Sequence, residues 1–296
     1  LLGPLERQEV AVEARDYFKR WQSMDQLAEV AKGGGVVALH AGGLYFHPVV
    51  QKRNSPRFPR TSALRFDLDV TDVASHLSVD KNDAPSCRKA WRLVSLWLKL
   101  LVRILVDHFD LLESAMLVDF SGRRGAHLTC CCERAKMLTA DARVAICDYV
   151  ADLRLNFVHA TSKACFATLI AELCVPFYKQ HGLEPQCDGG FGLLDMDDQR
   201  NMLLTKYESL KQCRPNLALR RDMQIADSGR HAWKLLWDDA KRQHCCNAAI
   251  GAAMWQLWPR IDVAVTKDLG HLSKMPFSLH SATACVCVPI ALNDLD

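Results

Sequence analysis

Two carboxylates stand two residues apart in a segment where apolar and polar residues alternate strictly. They are Asp67 and Asp69, and the alternation over 64–70 predicts a strand that projects both side chains from one face. Aspartate is disfavoured in strands, and two neighbouring like charges are costly unless a cation lies between them. A divalent metal with oxygen ligands would supply that cation. An Asp-rich strand edge before a turn is the alternative that this motif alone leaves open.

A glycine-bracketed turn follows a second predicted strand, 116–120, and carries several groups that bind anions. The turn reads SGRRGAH, and its hydrogen-bond donors are Ser121, Arg123, Arg124 and His127. Its two glycines let the backbone approach an anion closely. The G-x-x-x-x-G-K-[ST] pattern of a P-loop is absent. The turn is therefore a candidate phosphate-binding loop, and a solvated basic turn is the alternative.

A third carboxylate, Asp262, lies far along the chain in another alternating segment, 261–266. The alternation predicts a strand with Asp262 on its polar face. Lys274 and His280 follow downstream. Taken alone, Asp262 is typical of a surface aspartate, and the two cations fit either phosphate binding or plain solvation.

The elements around these residues alternate in type along the chain. Strand patterns are common in the first half, helical patterns dominate from about 133 to 252, and a strand pattern then returns. This order predicts a discontinuous sheet domain, 1–154 and 253–296, with a mainly helical subdomain at 155–252. The other predicted elements are a helix at 11–31, strands at 36–39 and 43–46, a basic loop at 51–60 and an amphipathic helix at 88–113.

Composition limits the classes of protein that fit these 296 residues. With 49% hydrophobic and 24% charged residues, the chain is not a disordered one. The net charge of +3 gives no global signal for nucleic acid, so any such binding depends on where the charges lie. The most apolar stretch, 93–112, is interrupted by Lys99, Arg103 and Asp107, which predicts no transmembrane helix. The 13 cysteines are odd in number and cluster at 130–132 and 245–246, which favours reduced thiols in an intracellular protein. The absence of a C-x-x-C pair disfavours a zinc finger or a thioredoxin-like site.

Together, three segments resemble the catalytic small subunit of the archaeo-eukaryotic DNA primases. They are FDLDVTD at 66–72, VDFSGRRGAH at 118–127 and WPRIDVAVTKDLGHLSKMPFSLH at 258–280. The family carries a D-x-D strand, an SGRRG-x-H loop and a late strand with a third aspartate. The resemblance implies an α+β fold, a mixed-sheet primase catalytic core with an inserted helical subdomain.

The resemblance also implies roles for individual residues. Asp67, Asp69 and Asp262 would be the catalytic residues and would hold two divalent metals, Mg²⁺ or Mn²⁺. One metal would activate the 3′-hydroxyl of the primer and the other would stabilise the pyrophosphate leaving group. The residues expected to bind the incoming ribonucleoside triphosphate are Ser121, Arg123, Arg124, His127, Lys274 and His280.

The activity implied is synthesis of short RNA primers on a single-stranded DNA template. The implied partners are a large regulatory primase subunit and the replicative DNA polymerase alpha complex, with no membrane partner. The implied location is the nucleus, or a DNA-containing organelle. Two alternatives stay open, a primase-polymerase or end-joining repair polymerase of the same fold, and a non-catalytic subunit that binds nucleic acid.

Two departures from the family pattern modify these expectations. The family usually has a cysteine-rich zinc site after the D-x-D strand, but the matching stretch here keeps Cys87 and has Ala90 in place of the last cysteine. His76 and Cys87 cannot complete a four-ligand site, so we expect the structural zinc to be lost. His40 stands where the family often has an aspartate thought to contact the sugar. The choice between ribose and deoxyribose is therefore open.

Overall fold

A computed structural model describes residues 38–45, 59–70, 79–80, 83–156, 168–212 and 215–295, together with Glu29 and Lys32. Most of the helix predicted at 11–31 lies outside these ranges, as do Lys52, Arg53 and Arg57 of the basic loop. The fold combines helices with antiparallel sheets, which confirms the predicted α+β class. Every strand pairing within the described ranges is antiparallel, where a mixed sheet was expected.

A four-stranded sheet carries the predicted carboxylates and the glycine turn. Its strands are β4 (Leu64–Asp69), β5 (Met116–Phe120), β6 (Gly125–Cys130) and β8 (Val288–Ile290), in the spatial order β4-β6-β5-β8. The sequence patterns predicted β4 and β5, whereas β6 was not predicted, although its buried Ala126, Leu128 and Cys130 alternate with His127 and Thr129. β6 nevertheless lies between β4 and β5, so it sets the register of the whole site.

Smaller strands flank this sheet. β1 (His40–Ala41) pairs with β7 (Ser273–Lys274), and β2 (Leu44–Tyr45) pairs with β3 (Pro59–Thr61). The first strand was predicted at 36–39, so the observed strand begins later, at His40. Its position follows from pairing with β7, a tertiary contact that local pattern does not report.

A long amphipathic helix, α1 (Ala84–Phe109), packs against the sheet. The sequence pattern predicted this helix at 88–113. The observed helix begins and ends four residues earlier, because its capping residues set both ends. The Asp83 side chain accepts from the Ser86 N–H at the start, and Asp110 ends the helix in a left-handed conformation with φ of 55°. The apolar face includes Trp97 and Leu101, both fully buried.

The segment predicted as a strand at 261–266 is a helix, and this prediction was wrong. α9 (Val263–Lys267) begins at Asp262, whose carboxylate accepts from the N–H groups of Ala264 at 2.8 Å and Val265 at 3.3 Å. Aspartate is a favoured N-cap residue, and this local cap outweighs the alternating valines that indicated a strand. Asp262 is therefore held at a helix terminus beside β4 and not on a strand face.

Helices make up most of the chain between β6 and α9, as predicted, and they share one core with the sheet. The Trp97 indole donates to the Leu257 carbonyl at 2.6 Å, and the Trp258 indole donates to the Val150 carbonyl at 2.8 Å. The boundaries 1–154, 155–252 and 253–296 remain a proposal, which the pairing of β8 with β5 supports. The helices are α2 (Glu133–Lys136), α3 (Ala140–Asn156), α4 (Val175–Phe177) between two π-helical turns, α5 (Asp197–Lys211), α6 (Leu217–Gln224), α7 (Gly229–Arg242) and α8 (Cys246–Leu257).

Among the described helices, none combines the length and the apolar character that crossing a bilayer requires.

Candidate active site

An open cavity of about 250 Å³ lies at the end of β4 and β6, where the glycine turn meets the segment after α9. The sequence placed these groups far apart in the chain, and the fold brings them to one surface. The predicted site residues that line the cavity are Asp67, Asp69, Ser121, Arg123, His127, Lys274 and His280.

Two of the three predicted catalytic carboxylates, Asp67 and Asp69, line this cavity, whereas Asp262 and Arg124 are predicted site residues that do not. Asp67 and Asp69 project from the same face of β4, each about one third exposed at the side chain. The N–H of Asp262 donates to the Asp67 carbonyl at 3.4 Å, which places the N-cap of α9 against β4. Burial raises the pKa of Asp67, and the charges of Asp69 and Asp262 raise it further. Mutually repelling oxygen donors at one place fit a hard divalent cation such as Mg²⁺ or Mn²⁺.

A row of three polar side chains crosses the sheet at the floor of the cavity. His127 on β6 lies directly opposite Asp67 on β4 and Asp119 on β5. Its Nδ1 lies 2.7 Å from the Asp119 carboxylate, and its Nε2 lies 4.0 Å from that of Asp67. Burial alone would lower the pKa of His127, but the hydrogen bond to Asp119 and the charge of that carboxylate outweigh burial, so the pKa is raised. His127 therefore links Asp67 at the cavity to the buried Asp119 on β5.

The glycine turn is closed by its own serine. Ser121 Oγ accepts from the Gly125 N–H at 3.2 Å and from the Arg123 N–H at 3.4 Å. Gly122 adopts φ of 83°, and a Cβ there would lie 2.8 Å from the Cys285 carbonyl oxygen. Both the conformation and the close approach explain why the turn needs a glycine at this position.

Basic groups surround the glycine turn and lie close to the carboxylates of β4. Lys274 Nζ donates to the Ser121 carbonyl at 3.4 Å, and burial lowers the pKa of Lys274. Burial also lowers the pKa of His280, followed by the charges of Lys274, Arg123 and Arg124. Arg124 has its Nε 3.8 Å from the Asp69 carboxylate, so it bridges the turn and β4. This arrangement of cations next to a metal-type carboxylate cluster can bind a polyphosphate.

A family model described as DNA primase small subunit matches residues 66–292, a span that contains all nine predicted site residues. This chain belongs to the DNA primase small subunit family. The resemblance noted in the three sequence segments is confirmed.

Curated members of the family give the same result at moderate identity. The DNA primase small subunit of Drosophila melanogaster is 27% identical over 94% of this chain and 67% of its own length. That of Saccharomyces cerevisiae is 28% identical over 77% of this chain and 58% of its own length. That of Caenorhabditis elegans is 27% identical over 87% of this chain and 67% of its own length. The chain therefore spans about three fifths to two thirds of the length of these relatives.

Several residues at the site were not predicted from the sequence. Asp119 belongs to the VDFSGRRGAH segment, but no role was predicted for it. Its place between Val118 and Phe120 of a strand could have indicated one, because aspartate is disfavoured in strands. Arg65 shares the face of Asp67, and its Nη1 donates to the His271 carbonyl at 3.1 Å. Its position on that face also followed from strand alternation.

The metal-ligating residues that cluster within the described ranges are Asp119, His127 and Cys287. They lie under the cavity, and the Cys287 thiol donates to the same Asp119 oxygen at 2.8 Å. Cys87, the cysteine retained from the family zinc motif, lies in α1 and is not one of this group. His76 lies outside the described residues, so loss of the structural zinc stays a prediction.

Proposed function

We propose that this protein is the catalytic small subunit of a DNA primase, which joins ribonucleotides into short RNA primers on single-stranded DNA. One observation carries the proposal: a single cavity is lined by Asp67 and Asp69 and also by Lys274 and by Ser121 and Arg123 of the SGRRG turn. Nucleotidyl transfer needs this pairing, because the reacting phosphate lies between a metal-bound hydroxyl and a departing pyrophosphate. Membership of the primase small subunit family supports the same conclusion.

The carboxylates of β4 and of the N-cap of α9 would hold the metals. Mg²⁺ or Mn²⁺ bound by Asp67, Asp69 and Asp262 would supply charge stabilisation and an activated hydroxyl nucleophile. The oxygen donors and the raised pKa of Asp67, which burial causes first, fit that role because a cation relieves the repulsion among the three carboxylates.

The SGRRG turn and the segment after α9 would bind the triphosphate of the incoming nucleotide. Arg123 and Arg124 are suited to phosphate because the guanidinium group donates in a planar fork. Ser121 holds the turn closed, Lys274 extends the positive surface from the C-terminal segment, and His280 adds a ring that can hydrogen-bond to phosphate. The charges would neutralise the pyrophosphate as it leaves.

The partners are proposed on the family name alone. A small subunit implies a large regulatory subunit, and primer synthesis implies a DNA template and ribonucleoside triphosphates. The polymerase alpha complex and a nuclear location are further proposals of the same kind.

The rival within the fold is a primase-polymerase or repair polymerase that extends deoxynucleotide primers. His40 lines the cavity. Because it stands where the family often has an aspartate thought to contact the sugar, it bears on the choice between ribonucleotides and deoxynucleotides. A non-catalytic subunit is disfavoured because every predicted metal and phosphate residue is present. Comparing ribonucleotides with deoxynucleotides in one assay separates the two polymerase activities.

The test is primer synthesis on a single-stranded template with Mg²⁺ or Mn²⁺, by the protein alone and with a primase large subunit. Asp69→Asn should reduce synthesis about a thousandfold, since metal-assisted charge stabilisation contributes several kcal/mol and each 1.36 kcal/mol is tenfold in rate. Asp198→Asn, at an exposed aspartate of α5, is the matched control and should retain activity. The proposal fails if wild type makes no product under any of these conditions, or if Asp69→Asn binds metal and nucleotide and synthesises primers like wild type.

A further inference from the structure

Asp119 is a buried carboxylate to which no role has been assigned. It is 2% exposed and lies on β5 under the cavity. One of its oxygens, Oδ1, accepts from His127 Nδ1 at 2.7 Å and from Cys287 Sγ at 2.8 Å. A buried carboxylate is costly unless donors satisfy it, so both contacts stabilise its place in the sheet.

The strand register shows how the His127 ring is oriented. Asp67, His127 and Asp119 occupy one cross-strand row over β4, β6 and β5. A carboxylate only accepts, so the His127 proton resides on Nδ1 and the opposite nitrogen, Nε2, is directed towards Asp67 and the cavity. A histidine that must present Nε2 to a ligand is commonly oriented by such a partner at Nδ1.

Cys287 fixes the carboxylate from the other side. Its side chain is fully buried, and its backbone pairs with Phe277 at 2.7 Å and with Ser278 at 2.8 Å. Those pairings attach it to the segment that also bears His280. The row is therefore connected to both halves of the phosphate-binding surface.

We propose that Asp119 is a positioning residue, which holds the His127 ring with Nε2 towards Asp67 and the cavity in which the triphosphate would bind. The proposal rests on the proposed function, because it assumes that a nucleotide binds in this cavity. Asp119 itself touches neither the substrate nor the metals. It acts through His127, and Cys287 keeps its oxygen in place.

The kinetic test uses Asp119→Asn in primer synthesis with a varied ribonucleoside triphosphate. We expect KM for the nucleotide to rise about tenfold while kcat changes less than about threefold, because loss of an orienting partner typically costs one to two orders of magnitude. In a His127→Gln background the same substitution should add nothing, since its effect passes through the ring. Asp239→Asn, an equally buried and hydrogen-bonded carboxylate between α5 and α7, controls for lost stability and should leave KM unchanged.

A second readout does not depend on activity. In ¹⁵N-histidine spectra of the whole protein, assigned with His127→Gln, we expect a protonated Nδ1 at His127 that changes in Asp119→Asn. An unprotonated, metal-bound Nδ1 that is released by a chelator would overturn the proposal in favour of a metal held by Asp119, His127 and Cys287. Equal spectra and equal KM in wild type and Asp119→Asn would also overturn it. If wild type makes no primers but the ring signal behaves as expected, the proposed function fails and the positioning contact stands.

Discussion

Asp67 is the residue whose electrostatics bear most directly on metal binding. Burial raises the pKa of Asp67, and the charges of Asp69 and Asp262 raise it further. The native state therefore binds the Asp67 proton more tightly than the unfolded chain does. Through linkage, the contribution of Asp67 to the free energy of unfolding is most favourable at low pH. It is lost as the pH rises through the window from the unfolded pKa to the raised native pKa.

A divalent cation should restore that lost stability at neutral pH. We expect Mg²⁺ or Mn²⁺ to raise the melting temperature more at about pH 7.5 than at about pH 5, where protons compete for the carboxylates. A ligand at a hundred times its Kd adds about 2.7 kcal/mol, which is measurable by scanning calorimetry. In Asp67→Asn the metal-dependent shift should be reduced at both pH values. A metal effect that is independent of pH and unchanged in this variant would contradict the assignment.

At the scale of elements, the contact between β4 and β6 decides how the carboxylates meet the glycine turn. Gly125 pairs with Asp69, and a Cβ at Gly125 would overlap the Leu68 carbonyl oxygen and lie 3.1 Å from Asp69 Cα. The two strands can therefore approach at this point only with glycine in β6. The spacing of Asp69 from the turn depends on that approach.

Gly125→Ala should therefore separate the two strands at the active site. We expect a loss of about 1–3 kcal/mol in the free energy of unfolding, as is typical of overpacking, together with a fall in primer synthesis. Gly229→Ala in α7 is the control outside the cavity, because a Cβ there would lie 3.3 Å from the Leu194 side chain, a tight contact but one without the backbone overlap at Gly125. Denaturant unfolding and primer synthesis measure the two effects. Wild-type activity in Gly125→Ala would show that strand separation does not control the site.

Elements also show where local pattern fails. The strand patterns of β4 and β5 come from alternating side chains, which are a local property. The helix α9 depends on the Asp262 cap, which an alternating V-A-V segment conceals. β6 also alternates in sequence, at Ala126, Leu128 and Cys130, but only its pairing with β4 and β5 shows that it lies between them.

At the scale of the whole molecule, nearly balanced charge conceals a local concentration of both signs. There are 37 basic and 34 acidic residues, and the carboxylates of Asp67 and Asp69 line the same cavity as Arg123 and Lys274. The sequence adds a basic stretch with Lys52, Arg53 and Arg57, which lies outside the described residues. We propose that this stretch contributes to template binding.

Template affinity should therefore fall as salt rises. For single-stranded DNA each phosphate contact contributes about −0.7 to the slope of log K against log salt. Replacing Lys52 and Arg53 by Ala should make that slope shallower by about twice this amount. Arg221→Ala, at an exposed arginine of α6 beside Asp222, is the control and should leave it unchanged. Binding measured by fluorescence anisotropy over a salt series tests this, and an affinity insensitive to salt would contradict the assignment.

The sequence by itself determined the fold class, the family and seven of the residues that line the cavity. Those properties depend on residue type and short-range spacing, as in the D-x-D strand and the SGRRG turn. Only the tertiary structure decided the helix that holds Asp262, the central place of β6 and the contact of Asp119 with His127. Each of these depends on hydrogen bonds or caps between segments that come together only when the chain has folded.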